Sequence, residues 1–180
     1  SIIEREIPKP FHFTLNPKKL IIEILLMPNV RKKYRNLLCF LHKNMTLSER
    51  VFKDTASSIA DKYDKFVVGS DIVWGLDITK NDTAYFLDFV KDSKKKFAFS
   101  SSIGNPWNEK EKALIKPYLS DFSSIAVREN ESAEWVEELI GKRPNVVSDP
   151  TMLLKGDEWA KFASSKYKGK QYVLVYFPTE

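Results

Sequence analysis

The spacing of apolar and polar residues separates a helical first third of the chain from a remainder in which strands and helices alternate. From Lys65 onwards, short apolar runs are separated by stretches of helical period, a pattern typical of βαβ units and a largely parallel sheet. We therefore expect a doubly wound α/β fold. The five predicted strands are Phe66–Val68, Phe97–Ser100, Ser124–Val127, Asn145–Val147 and Gln171–Phe177.

Three helices are predicted between these strands, at Glu109–Leu119, Glu131–Ile140 and Asp157–Ser165. Gly141 directly follows the second helix. Glycine commonly ends helices because it adopts the left-handed conformation without a steric penalty. These helices are expected to connect the parallel strands.

Two apolar helical patterns occupy the N-terminal region, at Pro17–Met27 and Asn29–His42. Pro28 lies between them and lacks the N–H that a continuous helix needs, so we expect two helices, broken there, that form a hairpin or cap. An alternative is that its basic and apolar residues form a membrane-surface anchor. The buried face of the hairpin would contain the leucines together with Ile21, Ile22, Ile24, Cys39 and Phe40.

A further helix, continuous or interrupted, is expected to begin at Thr46 and to run towards Lys62, because Thr46-Leu47-Ser48-Glu49 matches the capping-box pattern. We assign residues 1–63 to a helical region of the first domain and residues 64–170 to its α/β part. Residues 171–180 are assigned to the first strand of a truncated second domain, since no crossover follows that strand.

Composition narrows the class of protein. Hydrophobic residues make up 43% and charged residues 29% of the chain, which excludes disordered and fibrous classes. The longest apolar run, Leu20–Met27, is far shorter than the roughly 20 residues that span a membrane. The single cysteine, Cys39, has no partner in the chain and fits a reducing compartment. We expect a soluble, cytoplasmic protein with Cys39 in its core.

The net charge of +5 is a mild positive excess. Its basic clusters, Arg31–Arg35 and Lys94–Lys96, are accompanied by no nucleic-acid-binding motif, so nucleic acid is not an expected partner. The sequence also has no dinucleotide fingerprint, P-loop, metal-binding pair of Cys or His, or hydrolase nucleophile elbow. We therefore expect neither a cofactor nor a metal.

Polar residues follow four of the predicted strands, where ligands bind in open α/β sheets. After the first strand, Ser70 and Asp71 can bond a ligand or cap a helix, while Trp74 can stack on a sugar or fill the core. After the second strand, Ser102 and Gly104 belong to a run of small residues that suits either an anion or a turn.

Arg128 is the strongest single candidate for binding an anion. It follows the third strand with Glu129, where a helix begins, so its guanidinium and the free helix donors could converge on a carboxylate or phosphate. The alternative is a structural ion pair with Glu129 or Asp149. Asp149 follows the fourth strand and precedes Pro150, so it can equally close an Asx turn.

The segments that carry a family resemblance are Asp64–Trp74, Tyr85–Phe89, Ser101–Gly104, Ala126–Glu129 and Val147–Thr151. Taken together, they resemble the polysaccharide pyruvyl transferase family over roughly residues 60–177. The family commonly has glutamine where this chain has Ile72, which implies that a polar contact at that turn is lost. The family also opens with a strand and an Asn-Tyr-Gly type loop that we expect to precede Ser1.

The resemblance implies two Rossmann-like domains in the style of GT-B glycosyltransferases, with the active site between them and one wall supplied by this chain. Family members transfer the enolpyruvyl group of phosphoenolpyruvate to a sugar of a cell-surface polysaccharide, which gives a pyruvate ketal and releases phosphate. Arg128 would hold the donor through its fixed charge and bidentate geometry. The proton donor, a histidine in the resemblance, would lie in the second domain, so we expect this chain to be inactive alone.

We assign substrate binding to Ser70, Asp71, Trp74, Ser102, Gly104, Arg128, Glu129 and Asp149. The expected partners are a sugar or lipid-linked oligosaccharide acceptor, the inner face of the membrane, and a second copy of the chain paired through its last strand. Two other functions stay open. One is a GT-B-type glycosyltransferase that uses a nucleotide sugar, which rests on fold analogy. The other is a non-catalytic binding module at the membrane, which rests on residues 17–42 and Ile72.

Overall fold

The structure is a computed structural model that describes residues 17–48, 51, 53–163 and 165–175. The chain divides into two compact units, residues 1–59 and 60–180. The three-part division into residues 1–63, 64–170 and 171–180 stays a prediction.

The first unit contains one long helix, α1 (Pro17–Asn44), which runs through Pro28 without interruption. The predicted break at this proline is therefore wrong. Proline removes one backbone hydrogen bond but has a helical φ. A helix can therefore continue through Pro28 with the loss of one hydrogen bond.

The predicted buried face of this helix is also wrong where the structure describes it. Leu37, Leu38, Cys39 and Phe40 are all exposed. Consecutive helical residues point about 100° apart, so four in a row cannot share one buried face. The side chains of Ile21, Ile22 and Ile24 lie outside the described residues.

The helix predicted to begin at Thr46 is replaced, in the described residues, by a 3₁₀ helix at Lys53–Ile59. Thr46 and Ser48 are not helical, and Glu49 lies outside the described residues. The segment contains hydroxyl and carboxylate side chains that compete for backbone hydrogen bonds and weaken a regular helix.

The second unit is built on a four-stranded parallel sheet, which confirms the α/β, Rossmann-like fold class. Its strands are β1 (Phe66–Val68), β2 (Lys96–Ser101), β3 (Ser124–Val127) and β4 (Asn145–Val146). They pair in the order β1-β2-β3-β4. This order does not reverse among the described strands, so they lack the switch point of a doubly wound sheet. The carboxyl ends of all four still share one edge.

Most of the predicted helices are confirmed. The described helices of this unit are α2 (Leu76–Thr79), α3 (Glu109–Ser120), α4 (Asn130–Ile140) and α5 (Gly156–Ala160). Helix α4 ends at Gly141, whose φ of 72° is left-handed as expected. Helix α5 is shorter than predicted, because its last turn tightens: the N–H of Phe162 bonds to the carbonyl of Trp159 at 3.0 Å. Shorter 3₁₀ turns lie at Thr83–Phe86, Ser93–Lys95, Pro150–Leu153 and Ser165–Tyr167.

The core lies on one face of the sheet. Val68, Ala98 and Val127 are buried there, whereas Val67, which points to the other face, is 63% exposed. Lys96 is buried at the start of β2, and its Nζ lies 2.5 Å from the Asp121 carboxylate, directly after α3. This pair anchors the amino edge of the sheet, opposite the edge where the strands end.

Residues 171–175 form no strand and are exposed, with Val173 at 88%. The predicted fifth strand is therefore wrong over residues 171–175, because none of the four described strands pairs with them. Phe177 lies outside the described residues. None of the described helices is long and apolar enough to cross a membrane.

Candidate functional site

Two loops are joined where β1 and β2 end. Gly69 has a φ of 126°, and a Cβ atom there would lie 2.0 Å from the carbonyl oxygen of Phe99, so only glycine lets the backbone pass. Beyond it, Asp71 pairs with Ser101 in an isolated parallel bridge, and the N–H of Ser102 donates to the Asp71 carbonyl at 2.9 Å. The first loop is thereby held against the end of β2.

The residues that follow β3 and β4 lie at the same edge of the sheet as these two loops. The N–H of Arg128 donates to the Ser101 carbonyl at 3.1 Å, and the N–H of Val147 donates to the Val127 carbonyl at 2.9 Å. Register therefore aligns the residues that follow β1, β3 and β4 along one edge, as expected for parallel strands.

Arg128 is the centre of a polar cluster at this edge. Its Nε donates to Glu129 Oε1 at 2.7 Å, and its Nη1 donates to Asp149 Oδ2 at 3.3 Å. Its Nη2 lies 3.6 Å from Asp71 Oδ1. The guanidinium is thus held closely at its Nε edge and more loosely at its Nη atoms.

Glu129 fixes the orientation of this arginine. It also accepts hydrogen bonds from Ser132, at 3.1 Å, and from Ser102. Burial alone would raise the pKa of Glu129, but the bonds from Arg128, Ser102 and Ser132 outweigh it and lower the pKa below its usual value. Glu129 is also the N-cap residue of α4, yet its side chain makes no capping bond.

Asp149 is bound from several sides. Its Oδ1 accepts bonds from the N–H of Thr151, at 2.9 Å, and from Thr151 Oγ1, at 2.8 Å. Its Oδ2 accepts the bonds from Ser70 Oγ, at 3.2 Å, and from Arg128. Chiefly through the bonds from Thr151, the pKa of Asp149 falls from 3.8 to about 2. The predicted Asx turn is confirmed.

The cluster has more negative than positive charge. One guanidinium faces the three carboxylates of Asp71, Glu129 and Asp149, which leaves a formal charge of −2. No group of three or more His, Cys, Asp or Glu residues could hold a metal ion in the described part of the chain. The carboxylates converge on the arginine instead.

Six of the eight residues assigned to substrate binding meet in this cluster: Ser70, Asp71, Ser102, Arg128, Glu129 and Asp149. The structural ion pairs that were the alternative for Arg128 are both present. Binding of an anion by Arg128 stays a prediction. Ser102 supports the cluster from a buried position.

Trp74 requires a correction, because it has no exposed surface and leaves no face for a sugar ring. Its ring stacks on Phe86 at a centroid distance of 5.6 Å, and its Nε1 donates to the Tyr85 carbonyl at 3.1 Å. The structure supports the alternative in which tryptophan fills the core.

Gly104 packs against Ile72. Among the hydrogen bonds of the described residues, none joins Gly104 to Arg128. A Cβ atom on Gly104 would lie 2.9 Å from Ile72 Cγ2, and one on Gly75 would lie 2.7 Å from it. The Ile72 side chain therefore occupies the space beside two glycines. The residue that departs from the family pattern has a packing role here.

Thr151 and Ser132 belong to the cluster but were not predicted as site residues. A signal for Thr151 existed, since an aspartate that closes an Asx turn bonds the residue two positions on. Ser132 lies three positions after the N-cap residue Glu129, where capping partners meet. Both side chains orient carboxylates.

The comparisons with known proteins now decide the family. A model of the family described as polysaccharide pyruvyl transferase matches residues 8–178, nearly the whole chain. The chain belongs to the polysaccharide pyruvyl transferase family. No curated protein and no solved structure gave a match. The matched range contains every residue of the Arg128 cluster, and the family is a transferase family, so this cluster is the candidate active site of a polysaccharide pyruvyl transferase-like enzyme.

Proposed function

We propose that the protein transfers the pyruvyl group of phosphoenolpyruvate to a sugar of a cell-surface polysaccharide, forms a ketal and releases phosphate. Family membership supports the reaction class. The observation that carries the donor assignment is the Arg128 guanidinium, which is anchored through Nε while its Nη atoms make longer contacts at the shared strand edge.

This reaction needs cationic groups for the donor and a proton for its methylene carbon. Protonation makes the neighbouring carbon electrophilic, one sugar hydroxyl attacks it, phosphate leaves, and a second hydroxyl closes the ketal. We propose Arg128 as the cation, because a guanidinium binds carboxylate or phosphate through two parallel bonds. The resemblance gives the proton to a histidine of a second domain, and we assign no proton donor in this chain.

Donor binding at this cluster is an exchange of partners. The Nη atoms of Arg128 contact Asp149 and Asp71 at 3.3 and 3.6 Å, so an incoming anion can replace these carboxylates while the shorter bond to Glu129 persists. Displacement frees the Asp71 carboxylate, which is 81% exposed. A free carboxylate can accept hydrogen bonds from sugar hydroxyls.

We further propose a sugar or lipid-linked oligosaccharide as the acceptor and the inner face of the membrane as the place of reaction. The basic, apolar residues of α1 support a peripheral association of this kind, since Leu37, Leu38 and Phe40 are exposed beside Arg31, Lys32 and Lys33. We propose the cytoplasmic side of the membrane because the proposed donor, phosphoenolpyruvate, is a cytoplasmic metabolite.

The deciding experiment measures phosphate release by the full natural protein, with phosphoenolpyruvate and a panel of sugar acceptors. We expect release with at least one acceptor and a product heavier by one pyruvyl ketal. Release with none would contradict the proposal. Thermal-shift measurements separate the main alternative, because a glycosyltransferase would be stabilised by nucleotide sugars and not by phosphoenolpyruvate.

A further inference from the structure

The two carboxylates that face the Nη atoms of Arg128 are held with different firmness. Asp149 lies 3.3 Å from Nη1, and its other oxygen accepts bonds from the N–H and the hydroxyl of Thr151 at 2.9 and 2.8 Å. Asp71 lies 3.6 Å from Nη2, and its side chain is 81% exposed, against 29% for Asp149. Asp71 is therefore the carboxylate that an incoming anion can displace, while Asp149 stays in place.

Displacing the Asp71 carboxylate does not require its loop to move. The N–H groups of Val73 and Ser102 donate to the Asp71 carbonyl at 2.7 and 2.9 Å, and Asp71 pairs with Ser101 in the parallel bridge. The exposed carboxylate can rotate about its side-chain bonds while these backbone contacts persist. Exchange at Nη2 of Arg128 is thus a movement of one side chain.

The charges that stay around Arg128 limit the charge of its ligand. Glu129 remains 2.7 Å from Nε, and Asp149 remains beside Nη1. The N-terminus of α4 adds about half a positive charge, which Glu131 in its first turn offsets. A group with one negative charge takes the place of Asp71 like for like, and it is repelled by the remaining carboxylates about half as strongly as a dianion.

Phosphoenolpyruvate offers both kinds of group. Its carboxylate has one negative charge, whereas a phosphate ester has close to two at neutral pH. A carboxylate is also planar and matches the two parallel bonds that a guanidinium can donate. The two Nη atoms of Arg128 already face carboxylate oxygens of Asp149 and Asp71.

We propose that Arg128 binds the carboxylate of the donor, in exchange for the carboxylate of Asp71, and that the donor phosphate is held outside the Arg128 cluster. The identity of the donor as phosphoenolpyruvate rests on the proposed function. The choice of its carboxylate rests on the contacts and charges around Arg128.

The test compares two probes that each have one of the two acidic groups. Pyruvate has a carboxylate and no phosphate, and vinyl phosphate is phosphoenolpyruvate without its carboxylate. Their dissociation constants are measured by ligand-detected NMR titration of the full natural protein at constant ionic strength. Arg128→Lys should raise the dissociation constant for pyruvate at least about tenfold and that for vinyl phosphate by less than about twofold.

Asp71→Asn should act in the opposite direction. The amide has no charge that competes for Nη2, so pyruvate should bind about threefold more tightly than to the parent. A gain in affinity is an effect that partial loss of folding does not produce. Asp61→Asn is the matched control, because it removes one exposed carboxylate in a turn and should leave the affinity for pyruvate unchanged.

Three results would overturn the proposal. They are no binding of pyruvate by the parent, a loss of affinity for vinyl phosphate in Arg128→Lys that equals or exceeds the loss for pyruvate, and an Asp71→Asn variant that binds pyruvate no better than the parent. Phosphate release from phosphoenolpyruvate judges the proposed reaction separately. Release together with the second result would retain the reaction and assign Arg128 to the phosphate. The expected pyruvate results without release would retain the carboxylate site and reject the reaction.

Discussion

The candidate site is built around the guanidinium of Arg128 and the carboxylates that contact it. Arg128 contacts three carboxylates, and the three contacts differ in length. Glu129 is the closest partner and is itself held by two serines. Each side chain of the cluster therefore has a different expected consequence when it is changed.

Arg128→Lys should raise the dissociation constant for phosphoenolpyruvate at least about tenfold, because an ammonium cannot make the two parallel bonds of a guanidinium. Calorimetry measures this constant directly. Arg143→Lys is the matched control, since Arg143 also pairs with two glutamates but lies after α4. Equal affinities in parent and Arg128→Lys would return Arg128 to a structural role.

Asp71→Asn should reduce turnover more than stability. Asp71 is highly exposed and has one long ion pair, and asparagine tolerates its φ of 70°. We expect a melting temperature within about 1 °C of the parent and turnover at least about tenfold lower in the full natural protein. A large loss of melting temperature with normal turnover would reverse this assignment.

Asp149 should make stability depend on pH in the acid range. Its folded-state pKa of about 2 lies below the usual 3.8, so its contribution is present above about pH 4 and is lost as pH falls through about 2. Asp149→Asn should therefore lower the melting temperature by about 4 °C at neutral pH and by much less near pH 2.

Thermal unfolding of both proteins across this range gives the comparison. Asp61→Asn, a substitution of an exposed carboxylate in a turn, controls for the general loss of one charge. A difference between parent and Asp149→Asn that stays constant down to pH 2 would show that the hydrogen bonds to Asp149 do not require its charge.

At the scale of helices and strands, the ion pair between β2 and the end of α3 is the main polar anchor of the amino edge. Lys96 is only 3% exposed, and Ser93 also donates to the Asp121 carboxylate. Burial would raise the pKa of Asp121, but the bonds from Lys96 and Ser93 lower it overall.

Asp121→Asn should destabilise the protein by about 2–3 kcal/mol, because it leaves the Lys96 charge buried without its partner. Chemical denaturation measures the free energy of unfolding. Glu109→Gln breaks the exposed pair between Glu109 and Lys112 and should change that free energy by less than about 0.5 kcal/mol. Similar losses in both variants would mean that burial of Lys96 does not matter.

The elements themselves were largely predictable. Short apolar runs predicted strands β1 to β3, and apolar residues at helical spacing predicted helices α3 and α4. These patterns are visible in the sequence because each element buries one face. The predicted interruption at Pro28 and the predicted burial of Cys39 were wrong. The local pattern does not show whether a helix continues through a proline, nor what packs against α1.

For the whole molecule, exposed apolar segments should govern association. Tyr172, Val173, Leu174 and Val175 are exposed and unpaired with any strand in the described part of the chain. We expect concentration-dependent self-association, because an apolar, extended segment offers its backbone to another copy.

Sedimentation velocity on the 180-residue chain and on a version ending at Lys168 tests this. The shorter version should associate at least several-fold more weakly. Val173→Lys tests the same segment at full chain length, since a charge at this position hinders strand pairing. Association that is unchanged in both would exclude the segment as the cause.

The sequence by itself determined the α/β class, the loops that bear the polar residues and the resemblance that the family match confirms. These properties depend on local periodicity and on residue types at fixed spacings, which a linear chain displays directly. The Asx turn at Asp149 was predictable for the same reason, because its partners are two residues apart.

Only the tertiary structure decided which of these residues meet. Asp71, Arg128 and Asp149 are far apart in sequence, and the parallel register of β1 to β4 brings their side chains to one edge. It also turned Trp74 inward and left Met152 exposed. Burial is a property of the packed neighbours of a side chain, so residue type alone could not assign these roles.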